Sequence, residues 1–177
     1  MSATYINGRY EPAGLRAAAR IESQMQHLKA SFRTGERREE RTLFGSCGPV
    51  ADQAAARALL GAAIGPKVAF HRLILSPVAT GRRARRADLE EWTRLVLADL
   101  GREMGLRLTW VAAVHGNTDV DHVHVLLGGA GERAHWPGKG TVASVELRRT
   151  HYAFLERRAG ERAAEIAARL TAWPAVG

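Results

Sequence analysis

Two apolar runs separated by a short polar stretch constrain this chain more than any other feature. Leu106 to Val114 (LRLTWVAAV) and His122 to Leu127 (HVHVLL) flank HGNTDVD, the layout of two antiparallel strands joined by a tight connection. Side chains alternate between the faces of a strand. His122 and His124 therefore project side by side, while Val123 and Val125 turn towards the core. His115 follows the first run directly, and if the strands pair its imidazole converges with the other two. Three of the seven histidines would then meet at one hairpin. Three imidazoles leave open positions on a divalent ion for water and substrate oxygens. In phosphodiester chemistry such an ion polarises the scissile phosphate and offsets the charge of the transition state. The competing reading is a polar hairpin whose imidazoles face solvent, and the clustering favours the metal site.

The rest of the chain supplies a scaffold for that hairpin. Ala13 to Lys29 is rich in helix formers and predicts a helix leading into a Gly- and Arg-bearing loop. Ala51 to Leu60 reads as a short helix with Asp52 near its start, and Val68 to Leu75 as a strand closed by Ser76-Pro77. Leu89, Trp92, Leu95, Val96 and Leu100 fall at helical spacing within Asp88 to Met104, with Gly105 as the C-cap. Trp92 and Trp110 sit on apolar faces. The glycine-rich stretch GGAGERAHWPGKG reads as a loop and Val145 to Leu170 as a long helix, whereas the first dozen residues determine no element. This order predicts an α+β fold, a central antiparallel β-sheet flanked by helices. The length of 177 residues suits one domain, 1–177, and a fragment of a longer protein would look the same.

Charge narrows the partners. Lys and Arg number 26 against 18 Asp and Glu, and a net charge of +8 favours an anionic partner, because each contacted phosphate releases condensed counterions. Arg33, Arg37, Arg38 and Arg41 form one cluster, and Arg82, Arg83, Arg85 and Arg86 a second. Both are candidates for contacts to a nucleic-acid backbone, although charge runs are often only solvated surface. Trp136, in the loop after the histidine strand, is the best-placed aromatic for stacking on an unpaired base. No apolar run approaches the roughly 20 residues of a membrane span. The N-terminus lacks the apolar core of a signal peptide, so the expected location is the cytoplasm, with no membrane partner. The one cysteine, Cys47, cannot form an internal disulfide and reads as a small buried loop residue in a reducing compartment.

The pattern H-x-N-T-x(3)-H-x-H, followed by an apolar run and glycine, resembles the third motif of the conjugative relaxases, mobilisation nucleases of the HUH endonuclease superfamily. The similarity extends to the preceding strand, where Trp110, Val111, Ala112 and His115 match W-V-A-x-x-H. His71 to Pro77 (HRLILSP) resembles the second motif, and the order and spacing agree from about Gln26 to Gly129. The resemblance implies a single-stranded-DNA nicking enzyme acting at an origin of transfer, with accessory relaxosome proteins as further partners. It implies His115, His122 and His124 as ligands of Mg²⁺ or Mn²⁺, and Ser76 as a residue holding DNA beside the scissile phosphate. Three imidazoles would also suit Zn²⁺ or Ni²⁺.

One position departs from the family. Its first motif resembles H-L-[RK]-Y-x-x-R-x-G, whose tyrosine attacks the phosphate and stays linked to the 5′ end of the cut strand. Here the segment is His27-Leu28-Lys29-Ala30-Ser31-Phe32-Arg33-Thr34-Gly35, with Ala30 in the tyrosine's place. A methyl group cannot attack phosphorus. Engineered replacement, natural loss and a substitute nucleophile all remain open. His27, one helical turn before Ala30, and Tyr152, on the later helix, are the substitutes to consider, and Tyr5 and Tyr10 are the other tyrosines. Asp119 and Asp121 lie in the histidine loop and could orient a ligand imidazole or simply shape the turn. His71 reads as structural. The reading is a metal-dependent relaxase domain without its usual nucleophile, and the alternative is a non-catalytic DNA-binding protein that keeps the scaffold and regulates or marks an origin.

Overall fold

Strand β5 (Leu106–His115) and strand β6 (His122–Arg133) pair antiparallel, with His115 opposite His122 and Ala113 opposite His124. The computed structural model describes residues 5–29, 42–77, 85–115, 121–133 and 142–171. Around the hairpin lie β1 (Tyr5–Pro12), β2 (Leu43–Gly45), β3 (Gly48–Val50), β4 (Val68–Ser76) and β7 (Val142–Ser144). The sheet runs β1-β4-β6-β5-β2-β3, with β7 paired to the far half of β6, and its pairings are antiparallel. Helices α1 (Ala17–Lys29), α2 (Gln53–Ala62), α3 (Arg86–Met104) and α4 (Arg149–Thr171) complete the described α+β fold.

Helices cover both faces of the sheet, which explains why the central strands read as apolar runs. On β5, Trp110 and Ala112 join the layer under α3 and α4, together with Leu73, Val125 and Leu127. Val111 and Ala113 turn to α1 and α2, where Ile21, Met25, Leu60, Phe70 and Leu126 pack. Trp92 and Trp110 are buried as their spacing predicts, and the Trp92 indole donates to the Ala159 carbonyl at 2.9 Å. Between α3 and α4, the buried Asp99 carboxylate receives Arg158 at 2.8 Å, Arg162 at 2.9 Å and Arg102.

Local chemistry sets the helix ends. Asp52 caps α2 by accepting from the Ala55 amide at 2.8 Å, and Gly105 ends α3 in the left-handed region at φ 65°, ψ 28°. Helix α1 starts at Ala17, later than its composition suggests, because β1 extends to Pro12 and a turn intervenes. Helix α4 starts at Arg149 rather than Val145. The Val145 amide is used by the Gly129 carbonyl at 2.8 Å and its side chain is buried, so this segment runs along the sheet before the helix begins.

Two further expectations are corrected. The stretch from Gly128 to Arg133 is strand, not loop. Its glycines reflect close approach of other chain segments: a Cβ on Gly128 would lie 2.5 Å from the Ala63 Cβ. Cys47 is exposed in the turn between β2 and β3, not buried. Among the described residues no helix is long and apolar enough to cross a membrane.

Candidate metal centre

The hairpin register brings the three histidines together on the α1–α2 side of the sheet. His122 and His124 stand two residues apart on β6, and His115 ends the neighbouring strand. One nitrogen from each ring lies within 4.8 Å of the other two. The His115 and His124 rings stack with centroids 4.1 Å apart, and His122 stands 5.4 Å from His115 and 5.0 Å from His124. Two imidazoles bound to one ion at about 2.1 Å are separated by at most about 4.2 Å. Small ring rotations therefore bring the set to ligating distance, and the cluster could hold a metal ion.

The last turn of α1 closes one side of this centre. His115 is buried, and its Nε2 lies 3.3 Å from the Leu28 carbonyl oxygen. Contact to a backbone carbonyl through one ring nitrogen fixes ring orientation and decides which nitrogen faces a ligand. Met25 and Leu28 bury their side chains in the same layer as Ala113, which seats α1 against β5. Position 30 follows Leu28 by two residues in the chain.

Strand β4 closes the other side. Ile74 is opposite His124 and Leu75 opposite Val123, so Ser76 emerges at the histidine end of the sheet. Ser76 is buried and its hydroxyl donates to the Asp121 carbonyl oxygen at 3.1 Å, tying the end of β4 to the start of β6. Asp121 is thus beside the centre through its backbone.

Other candidates are placed differently. The sheet itself separates Tyr152 from the histidines. Its ring packs over Gly8 and beside Leu73 in the α3–α4 layer, and burial pushes its phenol up, away from the phenolate. His27 is exposed on the last turns of α1. Arg85 and Arg86 lie at the start of α3, where they pair with Asp88 at 2.9 Å and Glu90 at 2.8 Å. Arg86 also donates to the Thr42 carbonyl at 3.0 Å. Ala30, Arg33, Arg37, Arg38, Arg82, Arg83, Asp119 and Trp136 lie outside the described residues.

His71 sits on the α3–α4 side and meets the Val145 carbonyl at 2.8 Å through Nε2. Burial holds its pKa below the ordinary imidazole value, and the Val145 contact only partly opposes this. Sequence reasoning missed β1. Its odd-numbered residues Tyr5, Asn7 and Arg9 share the sheet face of the histidines, because Asn7 is opposite Ile74, which is opposite His124. The strand carries only one buried apolar side chain, Ile6, and so shows little alternation.

No protein-family model matches the chain. No curated protein matches it either. A solved structure concerned with the molecular basis of vancomycin resistance transfer in Staphylococcus aureus shares its fold, with a TM-score of 0.56 and 8% identity over 98% of this chain and 96% of that one.

Proposed function

We propose that this chain is a relaxase-type domain that binds single-stranded DNA at a transfer origin and holds a divalent ion, Mn²⁺ or Mg²⁺, through His115, His122 and His124. The observation that carries this reading is the convergence of the three imidazoles with the Ser76 end of β4 and the last turn of α1. The relaxase motifs of the sequence supply the same three pieces. A fold shared with a structure concerned with resistance transfer agrees with a mobile-element setting. The donor set is borderline rather than hard, so Zn²⁺ and Ni²⁺ are the other ions to test.

An ion held by His115, His122 and His124 would supply Lewis-acid polarisation of the scissile phosphate. The chain's own residues do the rest. Ser76 and the basic side chains position the strand, and burial of His115 under α1 fixes one wall of the site. In the active form, a tyrosine at position 30 would attack phosphorus through its phenolic oxygen. The bond from phosphorus to the 3′ oxygen would break, the 3′ oxygen would leave as a hydroxyl after taking up a proton, and the 5′ phosphate would stay on the tyrosine. With Ala30 that step has no nucleophile. With Ala30 the chain would bind and position DNA without forming the covalent bond.

Restoring the tyrosine tests this. Ala30→Tyr, incubated with Mn²⁺ and a pool of single strands covering the origin regions of the source genome, is expected to give a protein–DNA adduct that survives denaturing electrophoresis. The unchanged protein and Ala30→Phe should give none. Tight binding by Ala30→Tyr without any adduct would instead support a non-catalytic DNA-binding protein. Cleavage without a protein-linked product would point to a hydrolase that uses water.

A further inference from the structure

We infer that single-stranded DNA runs from the histidine centre across β4 to the edge strand β1, with a base stacked on Tyr5 and a phosphate held between Arg9 and Arg72. This inference rests on the single-stranded-DNA reading above and assigns that reading a path. The register sets the geometry. Tyr5 is opposite Ser76, Asn7 opposite Ile74, and Arg9 opposite Arg72, all on the face that carries His122 and His124. Successive rows are two residues apart, about 6.7 Å along the strands, and β1 stands two strands from β6, about 9.6 Å across. The strip therefore begins at the centre and continues away from it.

Its chemistry is that of a single-strand platform. Tyr5 is 57% exposed, and its hydroxyl accepts from the Asn7 side chain at 3.1 Å, which holds the ring in place. An aromatic face held beside basic groups stacks unpaired bases of any sequence and offers nothing to a base already inside a duplex.

Arg9 and Arg72 stand directly opposite each other on β1 and β4. Like charges placed directly across a strand pair repel, so this pairing costs stability unless an anion lies between them. The Arg72 side chain is only partly satisfied. One terminal nitrogen donates to Gln24 of α1 at 3.0 Å, and among the described residues no carboxylate pairs with this guanidinium. The nearby carboxylate on this face, Glu11, is already paired with Arg20 at 2.7 Å, which leaves the strip positive. Residues Arg20, Gln24 and His27 recur at helical spacing, so α1 presents its polar side along this strip.

The alternation of β1 provides an internal control. Tyr10 is 64% exposed on the same strand but belongs to the opposite face, with Ile6 and Gly8. The test is anisotropy with a short fluorescein-labelled single strand of random sequence, over a range of salt, after thermal melting has shown each variant folded. Tyr5→Ala is expected to weaken binding about tenfold, and Tyr5→Phe, which keeps the ring, by less than about twofold. Arg9→Ala should lower the slope of log affinity against log salt by about 0.7, the loss of one phosphate contact. Tyr10→Ala should bind like the unchanged protein. If Tyr5→Ala and Arg9→Ala bind as tightly as the unchanged protein, the path lies elsewhere while the DNA-binding reading stands. If the unchanged protein binds no single strand, both fall together.

Discussion

Gly129→Ala is expected to lose the native fold, or to retain it with a stability loss of at least about 4 kcal/mol. A Cβ at this position would overlap the Val68 carbonyl oxygen and lie 2.5 Å from the Val68 carbonyl carbon. Both are backbone atoms, so no rotamer change relieves the overlap. The neighbourhood is also fixed by hydrogen bonds. The Gly65 amide donates to Val68 at 2.9 Å, and the Gly129 carbonyl accepts from Val145 at 2.8 Å. The segment entering β4 therefore lies directly against β6 and cannot withdraw without breaking those bonds. Gly61, in α2, is the control, because a Cβ there meets nothing within 4 Å. Gly61→Ala should raise stability by about 0.5–1 kcal/mol through helix propensity. Urea unfolding followed by circular dichroism measures both. A Gly129→Ala protein as stable as the unchanged one would contradict this packing.

The second large effect is expected at Asp99. Its carboxylate is buried between α3 and α4 and receives three guanidinium groups. Burial alone would raise its pKa, but hydrogen bonds from Arg162 and Arg158, with the charge of Arg102, outweigh it and hold the carboxyl below its usual range. Asp99→Ala removes the one carboxylate shared by the three cations, while Arg158 and Arg162 keep their pairs with Glu161 and Glu165. The expected cost is about 2–3 kcal/mol, that of hydrogen bonds to a charged group lost from a buried position. The pH dependence follows from the direction of the shift. A depressed carboxyl pKa contributes stability that is fully present above the unfolded value, near 3.9, and is lost as pH falls through the lower folded value. The stability gap between unchanged protein and Asp99→Ala should therefore be widest above about pH 4 and narrow under stronger acid. A gap that does not change with pH would show that packing, not charge, dominates at this position.

Much of the centre was legible in the sequence because strand periodicity is local. The two-residue spacing of His122 and His124, with Val123 between them, already placed both rings on one face, and the hairpin needed only its register to add His115. Asp52 and Gly105 were legible for the same reason, since each cap is a matter of a few neighbouring residues. What was hidden depends on contacts distant in sequence. Gly128 and Gly129 looked like loop residues until the packing of residues 63–68 against β6 gave them a reason to lack side chains. Strand β1 gains its order from pairing with β4, some sixty positions away in the chain, and its own sequence shows little alternation. The face assigned to Tyr152 was also out of reach, because a helix pattern does not say which side of a sheet the helix covers. The Val145 segment looked helical and is held along the sheet by Gly129, a tertiary bond that overrides local propensity.

The central claim, a metal centre made of His115, His122 and His124, is tested most directly by calorimetric titration of Mn²⁺ into metal-stripped protein, beside a His122→Ala, His124→Ala double variant. The double variant should keep the fold, because both rings are only partly buried and the core of β6 is carried by Val123, Val125 and Leu127. One-site binding by the unchanged protein, lost in the double variant, is the expected result. Absence of binding by the unchanged protein for Mn²⁺, Zn²⁺ and Ni²⁺ alike, or binding that survives in the double variant, would contradict it.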